Sequence, residues 1–131
     1  MTRNPRCCTE EVTLHEVARL MVQNDCGEIP VVDEDNQLIG VVTDRDIVCR
    51  VVAEGKDPMA ITAEECMTHP VIAVFEDDSL DSVLSAMEKH QIRRVPVVDG
   101  SGCCSGIIAQ ADVALQARDS DVGELVREVS R

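Results

Sequence analysis

Aromatic side chains are almost missing from this chain: its 131 residues include no Trp, no Tyr and a single Phe, Phe75. A flat ligand therefore finds no stacking platform and has to be held between aliphatic walls. Basic charge is also scarce, with 12 Lys and Arg against 25 Asp and Glu and a formal net charge of −13. Such a field repels nucleic acid and anionic membrane over any distance that salt does not screen, which argues against both as partners. Long apolar runs are lacking too. No stretch approaches the roughly 18 residues of a membrane span, and the first residues do not follow the charged, apolar, small-residue order of a signal peptide. A cytoplasmic location is the expectation.

Cysteine, by contrast, is plentiful: Cys7, Cys8, Cys26, Cys49, Cys66, Cys103 and Cys104. The count is odd, and none shows the C-x-x-C spacing of a zinc or redox site, so neither a disulfide framework nor a metal centre is expected. The reading is of reduced thiols serving as small apolar side chains. The adjacent pairs Cys7-Cys8 and Cys103-Cys104 are poor chelators if they lie on strands, because neighbouring strand residues point to opposite faces. His15, His69 and His90 are scattered along the chain.

The dominant feature is duplication. Sliding the chain by 66 residues aligns its first half on its second without a gap. Met1-Thr2 falls on Met67-Thr68, and Glu10 on Glu76; Leu14, Val17 and Met21 fall on Leu80, Val83 and Met87. Pro30-Val31-Val32-Asp33 falls on Pro96-Val97-Val98-Asp99, Gly40 on Gly106, and Asp46 on Asp112.

Each copy reads as strand, helix, strand, strand, helix. Thr13-Leu14-His15-Glu16 is a capping box, after which Leu14, Val17, Ala18 and Met21 form an amphipathic stripe that Leu80, Val83, Leu84 and Met87 repeat. Ile29 to Val32 and Leu38 to Val42 are β-branched runs around the polar turn Asp33-Glu34-Asp35-Asn36, which is the pattern of a hairpin. A helix follows from Thr43-Asp44, expected to bury Ile47, Val48, Val51 and Val52 and to stop at Gly55. The expected organisation is a first repeat at 1–55, a linker at 56–66 broken by Pro58 and with Thr62 to Glu65 as a possible capped turn, a second repeat at 67–117, and a last segment at 118–131. That segment holds a helix from Asp121 to Ser130 with Val122, Leu125, Val126 and Val129 on one face. Two half-units with an apolar sheet face each are expected to pack through their sheets about a pseudo-two-fold axis, giving an α/β (α+β) fold with two related clefts.

The chemistry concentrates in Gly40-Val41-Val42-Thr43-Asp44-Arg45-Asp46, a strand running into a helix start. Free N–H groups and the helix dipole favour an anion there. Thr43 adds a hydroxyl donor and Arg45 a positive charge. Asp46 has two oxygens able to accept from both hydroxyls of a ribose, as carboxylates do in dinucleotide folds. The plain alternative is that Thr43 or Asp44 is only an N-cap and Asp46 a first-turn acid.

Duplicated units of Met-Thr, amphipathic helix, Pro-Val-Val-Asp and Gly-Val-Val-Thr-x-x-Asp resemble the CBS-domain pair, or Bateman module, over residues 1 to about 117, and most of all its small stand-alone bacterial members. The resemblance implies two β-α-β-β-α repeats and a non-catalytic sensor that requires no cofactor. It implies an adenosine ligand in the clefts: AMP, ADP, ATP, S-adenosylmethionine or occasionally a dinucleotide. It assigns phosphate to Thr43 and ribose to Asp46, with adenine at Cys7 and Ile29-Pro30. Where many relatives have Thr, this chain has Cys7 and, in the second copy, Ala73. The second motif, Gly106 to Asp112, keeps Gly and Asp but has Ala109 for the hydroxyl. Arg93 and Arg94, just before Val95-Pro96, resemble a basic pair that some relatives turn toward phosphate. AMP is the first choice of ligand, since it needs one phosphate subsite, although the −13 field favours a cation such as S-adenosylmethionine.

Catalysis lacks its parts: there is no nucleophile–base pair, Walker loop or metal-ligand cluster in the pattern. The rival function is a ligand-free interaction module acting through the acidic surface and the last helix, and a third is a thiol sensor at Cys7 and Cys103. A homodimer is expected, together with an effector protein that the sequence does not identify.

Overall fold

The computed structural model describes residues 1–116. Strands Thr2–Arg3 (β1) and Cys8–Thr9 (β2) are followed by helix Leu14–Asn24 (α1), then strands Glu28–Val32 (β3) and Leu38–Thr43 (β4). Helix Asp44–Ile47 (α2) runs directly into a π-helical turn at Val48–Val52, and a short helix spans Ala63–Cys66 (α3). The second copy supplies Val74–Phe75 (β5), Leu80–His90 (α4), Arg94–Val98 (β6), Cys104–Ala109 (β7) and Gln110–Gln116 (α5). The expected order of strands and helices is present in both copies of this α+β fold. The helix expected from Asp121 to Ser130 lies outside the described residues.

Local chemistry explains the helix ends. The Thr13 hydroxyl accepts from the Glu16 N–H at 3.3 Å, and Ser79 accepts from Ser82 at 3.2 Å, so each long helix starts on a hydroxyl cap. Both end on a left-handed residue, Asp25 (φ 48°) and Gln91 (φ 52°). The next N–H then reaches back five residues around the end, Cys26 to the Met21 carbonyl and Ile92 to that of Met87, each at 3.0 Å. The hairpin turns repeat as closely. Asp33 Oδ1 accepts from Asp35 and Gln37, and Asp99 Oδ1 from Ser101 and Cys103.

The described residues divide into two compact units, Arg6–Val71 and Met1–Pro5 with residues 72–116. In the first, β2 lies parallel to β3 and β3 antiparallel to β4. The free edge of β4 is met by Thr68, whose N–H reaches the Val41 carbonyl at 2.8 Å and whose carbonyl accepts from Val41 at 3.2 Å. In the second unit the order is β1-β7-β6-β5, with Thr2 opposite Ile107 and Arg3 opposite Gly106. Each Met-Thr pair thus lies against the last strand of the other sequence copy. Glycine eases the approach where they meet: a Cβ on Gly40 would stand 2.5 Å from the Met67 sulfur and 3.1 Å from the Thr68 carbonyl oxygen, and one on Gly106 2.5 Å from the Met1 sulfur and 3.1 Å from the Thr2 carbonyl oxygen.

Each unit has its own apolar core. Leu14, Val17, Ile29, Val31, Val42 and Val51 centre the first, and Leu80, Val83, Val95, Val97 and Ile108 the second. The joining segment belongs to the first core, where Ala63 and Cys66 are buried and Leu14 donates to the Ile61 carbonyl at 2.9 Å. Three details correct the expected stripes. Leu20, not Ala18, completes the buried face of α1, and Leu84 is exposed on α4. Of the four apolar residues expected to be buried beyond Thr43, Val51 is fully buried and Ile47 half-buried, whereas Val48 and Val52 are exposed at 56% and 65%. Ile47 and Val51 are four apart and share one narrow face, and the π-turn widens the helix so that the flanking pair turns outward.

Candidate functional site

The strand-to-helix turn at the end of β4 is built around a reciprocal pair. Thr43 is extended (φ −102°, ψ 162°) and caps α2, its hydroxyl accepting from the Asp46 N–H at 3.1 Å. Asp46 returns the contact, its Oδ2 accepting from the Thr43 N–H at 3.0 Å. A short acid at the third helical position does here what Glu does in the usual capping box. The Asp44 N–H is tied to the Gly27 carbonyl at 2.9 Å, which fixes the turn to the start of β3. The plain capping role is therefore filled, but it leaves functional groups over. Thr43 accepts through oxygen and keeps its proton for donation, and a carboxylate has about four acceptor positions, of which the Thr43 N–H uses one.

Two residues that the sequence reading did not assign complete the surroundings of Asp46. The Thr68 hydroxyl donates to Oδ1 and Oδ2, each at 3.3 Å. Arg50 brings Nη2 to 3.8 Å from Oδ1 while its Nη1 donates to the carbonyls of Cys66 at 2.9 Å and Met67 at 3.2 Å. The Asp46 side chain retains 12% of its exposure. Arg50 was readable as the i+4 base to Asp46. Thr68 was visible only as a repeat marker, because its approach depends on strand pairing across more than twenty residues. An open cavity of about 320 Å³ lies beside Arg50 and Cys66, with Cys49, Glu54, Lys56 and Glu65 on its walls.

The other residues of the first motif are placed as follows. Gly40 lies in β4 in register with Val31, and Pro30 is opposite Val41. Ile29 is fully buried in the core, which leaves its main chain rather than its side chain to meet a ligand. Cys7 is half-buried just before β2, at the Pro30 end of β3, and Arg45 is exposed in the first turn of α2. One unit therefore gathers Cys7, Ile29, Pro30, Gly40, Thr43, Arg45 and Asp46. Arg93, Arg94, Val95, Pro96 and Asp112 belong to the other unit.

In that unit the turn is half-built. Asp112 Oδ2 accepts from the Ala109 N–H at 3.0 Å, matching Asp46, but Ala109 has no hydroxyl to return. Asp112 also pairs with the Met1 amine at 3.4 Å and keeps 34% of its side-chain exposure. Arg94 is in register with Ala109, at the position where the first unit has buried Glu28 opposite Thr43. Val95 is fully buried, and Arg93 is exposed with its carbonyl accepting from Gln110 at 2.7 Å.

Two thiols near the motif, Cys8 and Cys66, are held neutral. Burial pushes Cys8 up to about 12, with Cys7 and Glu11 adding to the rise. Burial likewise raises Cys66, and Asp46 adds to it. No group of three or more His, Cys, Asp or Glu lies together as metal ligands among the described residues. No helix among them is long and apolar enough to cross a membrane.

Comparison with known proteins sets this geometry in a family. A family model for the CBS domain matches residues 1–53 and 63–118. Hypoxic response protein 1 of Mycobacterium tuberculosis is 34% identical over 129 residues, covering 98% of this chain and 90% of that protein. The crystal structure of Hypoxic Response Protein I with two coordinated zinc ions superimposes with a TM-score of 0.80 at 37% identity, over 88% of this chain and 92% of that one. The CBS domain pair of protein MJ0100, in complex with 5′-methylthioadenosine and S-adenosyl-L-methionine, gives a TM-score of 0.78 at 30% identity, over 92% and 94% of the two chains. With both copies matched and the duplicated turn in place, this chain belongs to the CBS domain family.

Proposed function

We propose that the protein is a non-catalytic regulatory module that binds an adenosine-containing ligand at the Gly40 to Asp46 turn. The observation that carries this reading is the Thr43–Asp46 pair, which sets a hydroxyl proton beside a carboxylate whose cap bond takes one acceptor position and whose other contacts are longer, at 3.3 and 3.8 Å. In this reading Asp46 receives the ribose hydroxyls, Thr43 donates to the next polar group of the ligand, and the base lies toward Cys7 and Pro30. Support comes from the MJ0100 pair, whose ligands are both adenosine derivatives.

Among the candidate ligands, charge favours a neutral or cationic adenosine over AMP, ADP or ATP. The chain carries a net −13, Asp44 and Asp46 flank the turn, and Arg50 is turned toward Asp46 and two carbonyls. Arg45 is then the cation of the first motif left to face a phosphate. Binding regulates by favouring one of two conformers of the module.

The test is thermal denaturation with S-adenosylmethionine, methylthioadenosine, AMP, ADP and ATP, with and without magnesium. A ligand at about 100 times its Kd adds roughly 2.7 kcal/mol to the native state, a rise of several degrees. Asp46→Ala removes that rise. If no ligand shifts the wild type, the ligand reading falls and an interaction module takes its place.

A further inference from the structure

We propose that Thr68 determines specificity at this turn, because its hydroxyl holds the Asp46 carboxylate where a ribose diol would bind, so that the ligand and the segment joining the two copies compete for the same oxygens. This rests on the ligand reading above.

The groups around Asp46 differ in how readily they yield. The Thr43 N–H bond at 3.0 Å is half of the cap that starts α2, so giving it up opens the helix. The Arg50 contact is long, at 3.8 Å. Thr68 alone of these three spans both oxygens, through one long, bifurcated hydrogen bond of 3.3 Å to each on the exposed side. A ribose diol also needs one lone pair on each oxygen. With 12% of the side chain exposed, it gains them by displacing the Thr68 hydroxyl.

Thr68 is not a loose side chain on a loose loop. Its main chain pairs with Val41 in both directions, Met67 lies against Gly40, and the Cys66 thiol contacts the Asp46 carbonyl at 3.8 Å. Arg50 ties the same carboxylate to the carbonyls of Cys66 and Met67. Asp46 is thus the node of a network that holds Cys66 to Thr68 on the edge of β4. A ligand that takes the carboxylate weakens that hold, and by linkage whatever peels the segment away improves the ligand's access.

Calorimetry with adenosine and with 2′,3′-dideoxyadenosine, on wild type, Thr68→Ala, Thr68→Val and Asp46→Ala, tests the competition. Both Thr68 variants should bind adenosine roughly three- to tenfold more tightly, the weight of one long hydrogen bond to a charged acceptor, with dideoxyadenosine unchanged. Hydrogen exchange on the wild type gives an independent readout: adenosine should speed exchange at the Thr68 and Val41 amides while slowing it at Thr43 and Asp46. Unchanged or weaker adenosine binding in both variants, or protection of Thr68 and Val41 by ligand, overturns the proposal. If wild type binds adenosine and Asp46→Ala does not, that failure leaves the ligand reading standing. If neither wild type nor the Thr68 variants bind adenosine, both fall.

Discussion

Replacing Ala109 by Thr supplies the group that the second turn lacks. The Asp112 carboxylate already accepts from the Ala109 N–H at 3.0 Å, the same distance at which Asp46 accepts from Thr43. The return bond should then form as it does in the first unit, where the hydroxyl stands 3.1 Å from the Asp46 nitrogen. An N-cap of this kind is worth about 1 kcal/mol, and a β-branched residue at a strand end adds a few tenths. For a chain of this size the gain corresponds to roughly 3–5 °C in melting temperature. Urea unfolding and calorimetry of wild type, Ala109→Thr, Ala109→Val and Thr43→Ala separate the terms. Ala109→Thr should exceed Ala109→Val by about the amount that Thr43→Ala loses, near 1 kcal/mol. If the Thr and Val variants are equally stable while Thr43→Ala is destabilised, the two turns are not built on the same plan and the reasoning fails.

Gly40→Ala should destabilise by about 1–2 kcal/mol in urea melts, because the new methyl meets the Met67 sulfur at 2.5 Å and the Thr68 carbonyl at 3.1 Å; an unchanged midpoint would show that the segment gives way freely. The Cys8 thiol, raised from 9.0 to about 12 in the folded chain, loses its proton first in the unfolded one. The stability it confers is therefore complete below pH 9 and lost between about pH 9 and 12, up to an order of 4 kcal/mol. Cys8→Ala should flatten that alkaline decline, and equal slopes in wild type and variant would refute it. A homodimer is the expected assembly, with the exposed pair Val48 and Val52 as an apolar stripe available for the contact; sedimentation at micromolar concentration should give twice the chain mass, and a monomer mass would exclude it.

The parts of the fold legible in the sequence are those set by neighbours along the chain. The Thr13 cap, the stripe of Leu14, Val17 and Met21, the Asp33 turn and the paired β-branched runs all follow from spacings of two to seven residues, and all are present. The outward turn of Val48 and Val52 was not legible, because a π-turn leaves no periodic trace in five residues. Nor was the placement of each Met-Thr pair, which depends on a strand edge far away in sequence. The same limit divides the candidate site. Thr43 and Asp46 are three apart and their pairing is local, so the motif announced the turn. Thr68 reaches Asp46 only after the joining segment has docked, and nothing in its immediate neighbours signals that contact.

The exchange of Met-Thr segments also orders the way the chain is assembled. Arg6–Val71 is continuous, so everything that closes its sheet has been synthesised once Thr68 is available. The other unit is discontinuous: Thr2 has to wait for Ile107 before its edge pairing can form. Closing so long a loop is slow relative to the local hairpins. On the ribosome the continuous unit is expected to fold first, with Thr2 and Arg3 held in reserve as an edge strand of a sheet whose remainder is not yet made.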